Sequence, residues 1–187
     1  MTLVWAVPFL AGGVAAVMLL RRKSRRWARL IRQGGDSVYR GESDRAEASL
    51  REALKLADGR GGPFWAGRRM ATLLPLAHLL MQRGRYPEAS EVAVEYVEAV
   101  RRRSLDGDLV TRGLSLLGDI SAARGSLEEA EALYRTTLEM EERTLGEHSI
   151  ELAPTIVKLG SVLASQDRRG EADVLFRRCS DIIASKY

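Results

Sequence analysis

The C-terminal half of the sequence repeats itself at an interval of 42 residues, and this repeat restricts the fold more than any other feature. Residues 117–120 (LGDI) align with 159–162 (LGSV), so that position 118 corresponds to 160. Residues 130–135 (AEALYR) align with 172–177 (ADVLFR) at the same offset. A constant interval of about 20–50 residues is typical of stacked, similar supersecondary units. The chain is therefore predicted to be a repeat array.

The same spacing extends toward the N-terminus and divides the chain into four units. A glycine or aspartate followed five residues later by an alanine marks each one: Gly41 and Ala46, Gly84 and Ala89, Gly125 and Ala130, Asp167 and Ala172. Twelve residues before each alanine lies a small residue: Gly34, Ala77, Gly118 and Gly160. The predicted units span about 27–58, 64–103, 108–143 and 149–187, in one helical repeat domain over 27–187.

Each unit is predicted to be a helical hairpin. Apolar or small residues of the third unit fall on one helical face, at steps of three and one: Ala130, Leu133, Tyr134, Thr137 and Leu138. The fourth unit repeats the pattern with Ala172, Leu175, Phe176, Cys179, Ile182 and Ile183. Gly84 and Gly125 are expected to end first helices in a left-handed conformation. The fold class is therefore all-α.

Three features of these units resemble the tetratricopeptide repeat. They are the small residue before each alanine, the Gly-x-x-x-x-Ala spacing and the Ala-x-x-x-Tyr/Phe spacing. Residues 143–148 (RTLGEH) are similar to the linker between kinesin light chain-type repeats. The resemblance implies an α-solenoid of about four hairpins, with a concave groove that binds a peptide or protein. It covers about four fifths of the chain and is strongest in the third and fourth units.

In this family the first helix of each hairpin lines the groove, so the resemblance also implies the partner-binding residues. They are His78, Met81, Gln82, Arg112, Ser115, Asp119, Ala122, Val157, Ser161 and Ala164. Relatives that grip a terminal carboxylate use asparagine together with basic residues, and this sequence contains no asparagine. Recognition of a terminal carboxylate is therefore not expected, and the small, mildly polar groove suits an extended segment or a helix of a partner.

The N-terminal segment carries no charge from Thr2 to Leu20. About 18–20 apolar residues are enough for a helix to cross a bilayer. Residues 1–20 are therefore predicted to be a single-pass transmembrane signal-anchor, preceding the repeats. A cleaved signal peptide is the rival interpretation, although it would need basic residues before the apolar run. A buried core helix is the other alternative.

A basic segment, 21–32, follows directly. Its first residues are Arg21, Arg22, Lys23, Arg25 and Arg26. Because basic loops stay on the cytoplasmic side, the N-terminus is predicted to lie outside the inner membrane and the repeats in the cytoplasm. Without the basic residues of this segment, acidic residues outnumber basic ones. The high isoelectric point is thus attributed to a membrane flank, and no nucleic-acid partner is expected.

Residues that carry catalytic or metal chemistry are scarce. His78 and His148 lie in different units and lack Cys or His partners at ligand spacing, so no metal site is predicted. The single cysteine, Cys179, falls on an apolar helix face and permits no internal disulfide. The sequence contains no Ser-His-Asp order, P-loop motif or dinucleotide-binding motif. Neither an enzyme nor a cofactor is expected.

The predicted function is therefore a membrane-anchored tetratricopeptide scaffold that binds a protein or peptide partner at the cytoplasmic membrane face. The alternative is a structural assembly factor that associates with itself, forming a homo-oligomer. In that case the exposed last helix, ending near Ile183, is expected to be the contact surface.

Overall fold

The computed structural model describes residues 6–58, 62–103 and 107–185, without the side chains of 6–17, 62 and 63. Eight α-helices fill these ranges: α1 Ala6–Tyr39, α2 Ser43–Ala57, α3 Gly62–Gln82, α4 Tyr86–Arg101, α5 Gly107–Ala123, α6 Leu127–Leu145, α7 Ala153–Ser165 and α8 Arg169–Ala184. A short 3₁₀ turn, Ile150–Leu152, precedes α7, and the described ranges contain no strand. The prediction of an all-α repeat fold is confirmed.

The predicted membrane anchor is wrong. The described uncharged part of α1, from Ala6 to Leu20, is about 22 Å long at about 1.5 Å per residue, whereas a bilayer core is about 30 Å thick. The basic residues from Arg21 onward continue the same helix. Within the described ranges, no helix is both long enough and apolar enough to cross a membrane. Residues 1–5 of the predicted anchor lie outside the described part.

The predicted localisation fails with the anchor. A single pass through the inner membrane, with the N-terminus outside and the repeats in the cytoplasm, requires the spanning helix that the described chain lacks. The basic residues of 21–32 are correspondingly part of α1, and their role as a membrane flank has no support.

The chain divides into two compact units, residues 1–72 and residues 73–187. The boundary falls inside α3, so its first half belongs to the N-terminal unit and its second half to the C-terminal unit.

In the N-terminal unit, α1 packs on α2 through Leu30, Leu50 and Ala53. An arginine surrounded by aromatic rings joins α1 to α3. The Arg68 guanidinium lies 4.7 Å from the Trp27 ring centroid and 4.2 Å from that of Phe64. Its Nη2 donates to Ser24 Oγ at 2.7 Å. Burial lowers the pKa of Arg68, because removing the guanidinium from water disfavours its charged form. Cation–π attraction to the surrounding rings offsets part of this cost.

In the C-terminal unit, each helix from α4 to α8 packs against the next one along the chain. The hairpins share one core around α6, α7 and α8, formed by Ala130, Tyr134, Leu138, Leu152, Ile156, Leu159, Val162, Leu163, Ala172, Cys179 and Ile182. This order of contacts is what stacked helical hairpins produce, since each unit touches only its neighbours.

The turn inside each hairpin adopts the predicted left-handed conformation. Gly84 and Gly125 have φ of 70° and 83°, and Asp167 has φ of 60° at the equivalent position. The following amide bonds back to the end of the preceding helix in each case, as with Ser126 N to Ser121 O at 2.9 Å. These are the hydrogen bonds of the Schellman motif, which satisfies the last carbonyls of a helix.

The small residues of the third and fourth units permit close approach of the paired helices. A Cβ built on Gly118 of α5 would lie 2.6 Å from Cε1 of Tyr134 in α6. A Cβ built on Gly160 of α7 would lie 2.6 Å from Cε1 of Phe176 in α8. The aligned LGDI and LGSV segments are therefore the places where each first helix receives an aromatic ring.

A largely buried carboxylate links neighbouring hairpins. Glu131 of α6, whose side chain is 14% exposed, accepts hydrogen bonds from Arg135 Nε at 3.0 Å and from Arg168 Nη1 at 2.7 Å. Arg168 immediately precedes α8. Burial by itself would raise the pKa of Glu131, but these hydrogen bonds outweigh it and the pKa is lowered.

Glu131→Gln is expected to lower the free energy of unfolding at neutral pH by about 1 kcal/mol. Because the folded pKa lies below the unfolded value of about 4.3, the ionised carboxylate stabilises the fold above that value. That contribution is lost as the pH falls through the folded pKa. Urea unfolding followed by circular dichroism between about pH 7 and about pH 3 should show a shallower acid loss for Glu131→Gln. Glu128→Gln, at an exposed position of the same helix, should keep the parental profile.

Candidate functional site

The residues predicted to line the groove lie on α3, α5 and α7, all within the C-terminal unit. Exposure varies along this set. His78, Gln82, Arg112, Val157 and Ser161 are exposed. The half-buried members are Met81, Ser115, Asp119, Ala122 and Ala164. Every predicted position therefore keeps some contact with solvent.

An open cavity of about 270 Å³ lies where α5, α6 and α7 meet. It is lined by Ala122, Leu127, Tyr134, Val157, Lys158, Ser161, Val162 and Ser165. Half of these side chains are aliphatic, while a lysine and two serines supply polar groups. Apolar walls with a few converging polar groups are typical of ligand-binding pockets.

A hydrogen-bonded network centred on Lys158 borders this cavity. The Lys158 ammonium donates to Asp119 Oδ2 at 2.8 Å and to Ser115 Oγ at 3.0 Å. The Tyr134 hydroxyl donates to Asp119 Oδ1 at 2.6 Å. One carboxylate thus holds α5, α6 and α7 together, and both of its oxygens are used.

The electrostatics of the network keep the Tyr134 hydroxyl protonated beside the ionised Asp119. Burial, together with the hydrogen bond to Asp119 and its negative charge, raises the pKa of Tyr134 far above its ordinary value. The phenol therefore stays protonated and keeps donating. The Lys158 side chain is 37% exposed, so the ammonium remains accessible from the cavity. An ammonium has three donors, and these two acceptors use two of them.

The exposed side of α7 presents a stripe of small side chains, formed by Val157, Ser161 and Ser165. Ser161 Oγ donates to Val157 O at 2.8 Å, and Ser165 Oγ donates to Ser161 O at 2.9 Å. Because the hydroxyl protons are used within the helix, this stripe is less polar than its composition suggests.

The structure brings five of the ten predicted groove residues to this place. Ala122, Val157 and Ser161 line the cavity, while Ser115 and Asp119 bind Lys158. The other five do not line it: His78, Met81, Gln82, Arg112 and Ala164.

Two of these outlying residues have partners within their own helices. His78 Nδ1 lies 3.0 Å from Leu74 O, and Arg112 Nη2 lies 3.9 Å from Asp108 Oδ2.

Sequence reasoning missed Lys158, the centre of the network. A signal was available, because Lys158 is the only charged residue between Ala153 and Ser165 in an otherwise apolar and small-residue helix. Tyr134 was assigned to the core, which is correct for its ring, but its hydroxyl also orients Asp119.

A larger cavity of about 890 Å³ lies between the end of α6 and the outer side of α8. Its lining includes His148 together with acidic and basic side chains, such as Asp181 and Arg177. Arg178 crosses it, with Nη1 at 2.6 Å from Glu142 Oε1 and Nη2 donating to Glu147 O at 3.0 Å. Arg178 thus ties α8 to α6 and to the linker between α6 and α7, so the charged side chains of this cavity have a structural role.

Comparison with known proteins supports the repeat assignment. Residues 109–185 match the family model of the tetratricopeptide repeat. A comparison with curated proteins found no match.

Among solved structures, the apo form of RapI is similar, with a TM-score of 0.75, 19% identity, and coverage of 88% of this chain and 44% of that chain. The repeats of a putative kinesin light chain from Podosopora anserina match with a TM-score of 0.74 and 19% identity, covering 86% and 76% of the two chains.

A Rap protein complexed with Competence and Sporulation Factor matches with a TM-score of 0.72 and 13% identity. That match covers 87% of this chain and 44% of the Rap chain, so this chain spans less than half of either Rap protein. The predicted resemblance to kinesin light chain-type repeats is thus confirmed at the level of fold. Residues 109–185 are thus similar to tetratricopeptide repeats, and the described chain has an all-helical fold of the same kind as these structures.

Proposed function

We propose that the C-terminal unit binds an extended segment of a partner protein, and that one apolar side chain of this segment enters the cavity beside Lys158. The observation that carries the proposal is an open cavity with aliphatic walls and one accessible ammonium. Its volume of about 270 Å³ has room for one apolar side chain of the segment. The ammonium can bind a backbone carbonyl or a carboxylate of the same segment.

A binding role fits the chemistry of the network better than catalysis does. Asp119 accepts from both Lys158 and Tyr134, so it is already occupied as an acceptor. The raised pKa of Tyr134 keeps the phenol from acting as a base near neutral pH. The groups around the cavity are thus suited to holding a ligand, and the chain is proposed to be a non-catalytic interaction module. The Rap protein whose fold is similar was itself crystallised with a bound factor.

Filling the cavity tests this proposal. Peptides are first selected from a random displayed library with the full chain, and their affinities are measured by fluorescence anisotropy. Ser161→Trp places a large ring over the cavity and is expected to weaken binding at least about tenfold, or about 1.4 kcal/mol. Replacing the apolar anchor residue of the selected peptide with serine should have a similar effect.

Ser180→Trp is the matched control. Ser180 is also exposed and also donates to the carbonyl four residues before it, Phe176 O at 3.0 Å, but it lies on α8 away from the cavity. Its binding should equal that of the parent. Equal binding by Ser161→Trp, or a library that yields no peptide with a required apolar residue, would reject the proposed site.

A further inference from the structure

The turn between α1 and α2 borders a hollow that is lined mainly by arginines. Two of them, Arg29 and Arg32, lie on α1, Arg40 directly follows α1, and Arg45 lies in the first turn of α2. The hollow has a volume of about 300 Å³, at the lower end of the about 300–1,000 Å³ that is typical of ligand pockets. All of its lining residues belong to the N-terminal unit. We call this place the arginine hollow.

Carboxylates neutralise only half of the positive charge in the arginine hollow. Asp36 and Glu42 are the two acidic residues in the lining, against four arginines, so two positive charges remain. Glu42 already pairs with Arg45, whose Nη1 lies 2.9 Å from Glu42 Oε2. The other three arginines have no carboxylate within ion-pair distance in the described chain. Asp36 can neutralise at most one of them, so at least two guanidinium groups keep their charge.

The unpaired arginines of the hollow differ from an arginine of α1 that has a structural role. Arg26 forms an ion pair with Glu52 and so joins α1 to α2. Arg29 and Arg32 form no such link, and they stand at i and i+3, where like charges repel each other. Their guanidinium groups are therefore available to a ligand, and an anion between them would relieve the repulsion.

A buried hydroxyl in the lining also lacks a partner. Ser37 is 5% exposed and lines the arginine hollow. The hydroxyls of Ser161 and Ser165 donate to the carbonyl four residues earlier, whereas Ser37 Oγ forms no hydrogen bond within the described chain. Buried polar groups are normally hydrogen-bonded. The Ser37 hydroxyl is thus a donor that a ligand in the hollow would satisfy.

We infer that the arginine hollow binds a dianionic phosphate group. Such a group carries a charge of about −1.5 to −2 at pH 7, which matches the two positive charges that remain, and it has three acceptor oxygens. The planar guanidinium donates two parallel N–H groups to oxygens of this kind, and the Ser37 hydroxyl offers a further donor. A carboxylate would leave one positive charge without a partner. The cavity beside Lys158 lies in the other unit, so this inference does not depend on it.

An NMR titration of the full chain tests the inference. The probe is O-phospho-L-serine at constant ionic strength, and the arginine Nε–H signals and the Ser37 amide signal report binding. L-serine O-sulfate is the matched ligand, because its sulfate ester has a similar shape but only one negative charge. O-phospho-L-serine should bind saturably and at least about fivefold more tightly than the sulfate ester.

A third titration, with inorganic phosphate, identifies the source of the phosphate group. Inorganic phosphate that binds at least as tightly as O-phospho-L-serine assigns the hollow to free phosphate. Tighter binding of O-phospho-L-serine assigns it to a phosphorylated side chain. Either result supports a phosphate site.

Two double substitutions on α1 separate the hollow from the general charge of the helix. Arg29→Gln with Arg32→Gln removes two arginines of the lining and should weaken binding of O-phospho-L-serine at least about tenfold, because charge-assisted hydrogen bonds are lost. Arg22→Gln with Arg25→Gln has the same i and i+3 spacing, the same exposed positions and the same change in net charge, but neither residue lines the hollow. Its affinity should stay within about twofold of the parent, because salt screens distant exposed charges.

Asp36→Asn should change the affinity in the opposite direction. It removes the carboxylate that competes with the ligand for the arginines, so O-phospho-L-serine should bind about two- to fivefold more tightly. A gain in affinity cannot result from unfolding, so this variant keeps the test valid even if the arginine variants lose structure. Circular dichroism at 222 nm checks that each variant keeps the helical content of the parent.

Four results would each overturn the inference. The first is that O-phospho-L-serine shows no saturable binding, and the second is that L-serine O-sulfate binds as tightly. The third is an equal loss of affinity in the two double variants, which would mean that diffuse charge along α1 attracts the anion. The fourth is unchanged or weaker binding by Asp36→Asn, which would place the ligand away from the arginine hollow.

Discussion

Gly118→Ala is expected to lower the free energy of unfolding by about 2 kcal/mol, even though alanine favours a helix interior by about 1 kcal/mol over glycine. The added methyl group would lie 2.6 Å from Cε1 and 2.9 Å from Cδ1 of Tyr134. The ring cannot move aside easily, because it is 2% exposed and its hydroxyl is bound to Asp119. The helices α5 and α6 must separate instead, and a packed core resists that displacement.

Gly160→Ala is the matched comparison. Its methyl group meets Phe176 at the same 2.6 Å. Phe176, however, is half-buried on the last described helix and has no hydroxyl that fixes it. The ring can therefore shift, and the loss should be smaller than at Gly118. Gly35→Ala, whose added methyl group would meet no atom within 4 Å, should be neutral or stabilising by up to about 1 kcal/mol.

Urea unfolding followed by circular dichroism at 222 nm measures these differences. Tryptophan fluorescence would not, because Trp5, Trp27 and Trp65 all precede residue 73 and do not report on the C-terminal unit. Equal losses at Gly118 and Gly160 would show that the mobility of the facing ring does not determine the cost. A stabilised Gly118→Ala variant would show that α5 and α6 can separate freely.

The repeated elements of the fold could be predicted from the sequence because they depend on local backbone and steric requirements. Gly84 and Gly125 occupy left-handed turns that most other residues avoid. Gly118 and Gly160 occur where an aromatic ring of the next helix needs their space. Such requirements leave a mark at one fixed distance in every unit, so periodicity alone locates the hairpins.

The N-terminal prediction was wrong because an apolar run does not reveal how far its helix continues into charged sequence. Counting from Thr2 gives a stretch long enough to cross a bilayer. Of the residues that the structure describes, only Ala6 to Leu20 of α1 precede the first charged residue, Arg21. The arginines then continue the same helix without a break.

The site could be predicted only in part, since its network joins residues far apart in the sequence. Lys158 bonds to Ser115 and Asp119, which lie in α5, two helices earlier along the chain. The family resemblance pointed to α5 and α7, and its residues Val157 and Ser161 do line the cavity. The partner of a lysine depends on which helices pack together, and the sequence pattern does not specify that.

Asp119→Ala is expected to lower the free energy of unfolding by about 2 kcal/mol, because it removes two separate interactions. The buried Tyr134 hydroxyl loses its acceptor, and leaving such a donor unsatisfied costs about 1–3 kcal/mol. Lys158 loses its counter-charge, but its side chain is 37% exposed and water can take over part of that role. This second loss is therefore well below the about 3–5 kcal/mol of a fully buried broken pair.

Asp119→Asn separates the two losses. The asparagine amide oxygen can still accept from Tyr134, whereas the negative charge beside Lys158 is gone. Its cost should be about 1 kcal/mol, less than that of Asp119→Ala. Urea unfolding at neutral pH measures both variants, and equal costs would mean that the tyrosine hydrogen bond contributes nothing.

Lys158→Met completes a double-mutant cycle with Asp119→Ala. In the double variant no ammonium is left without its carboxylate, so its cost should fall below the sum of the two single costs by about 0.5–1 kcal/mol. The Tyr134 hydroxyl remains without its acceptor, so the recovery should be incomplete. Peptide affinity should follow a different order, because only the variants that lack Lys158 remove the accessible ammonium. Additive stability costs would show that Lys158 and Asp119 do not act as a pair, despite the 2.8 Å between their charged atoms.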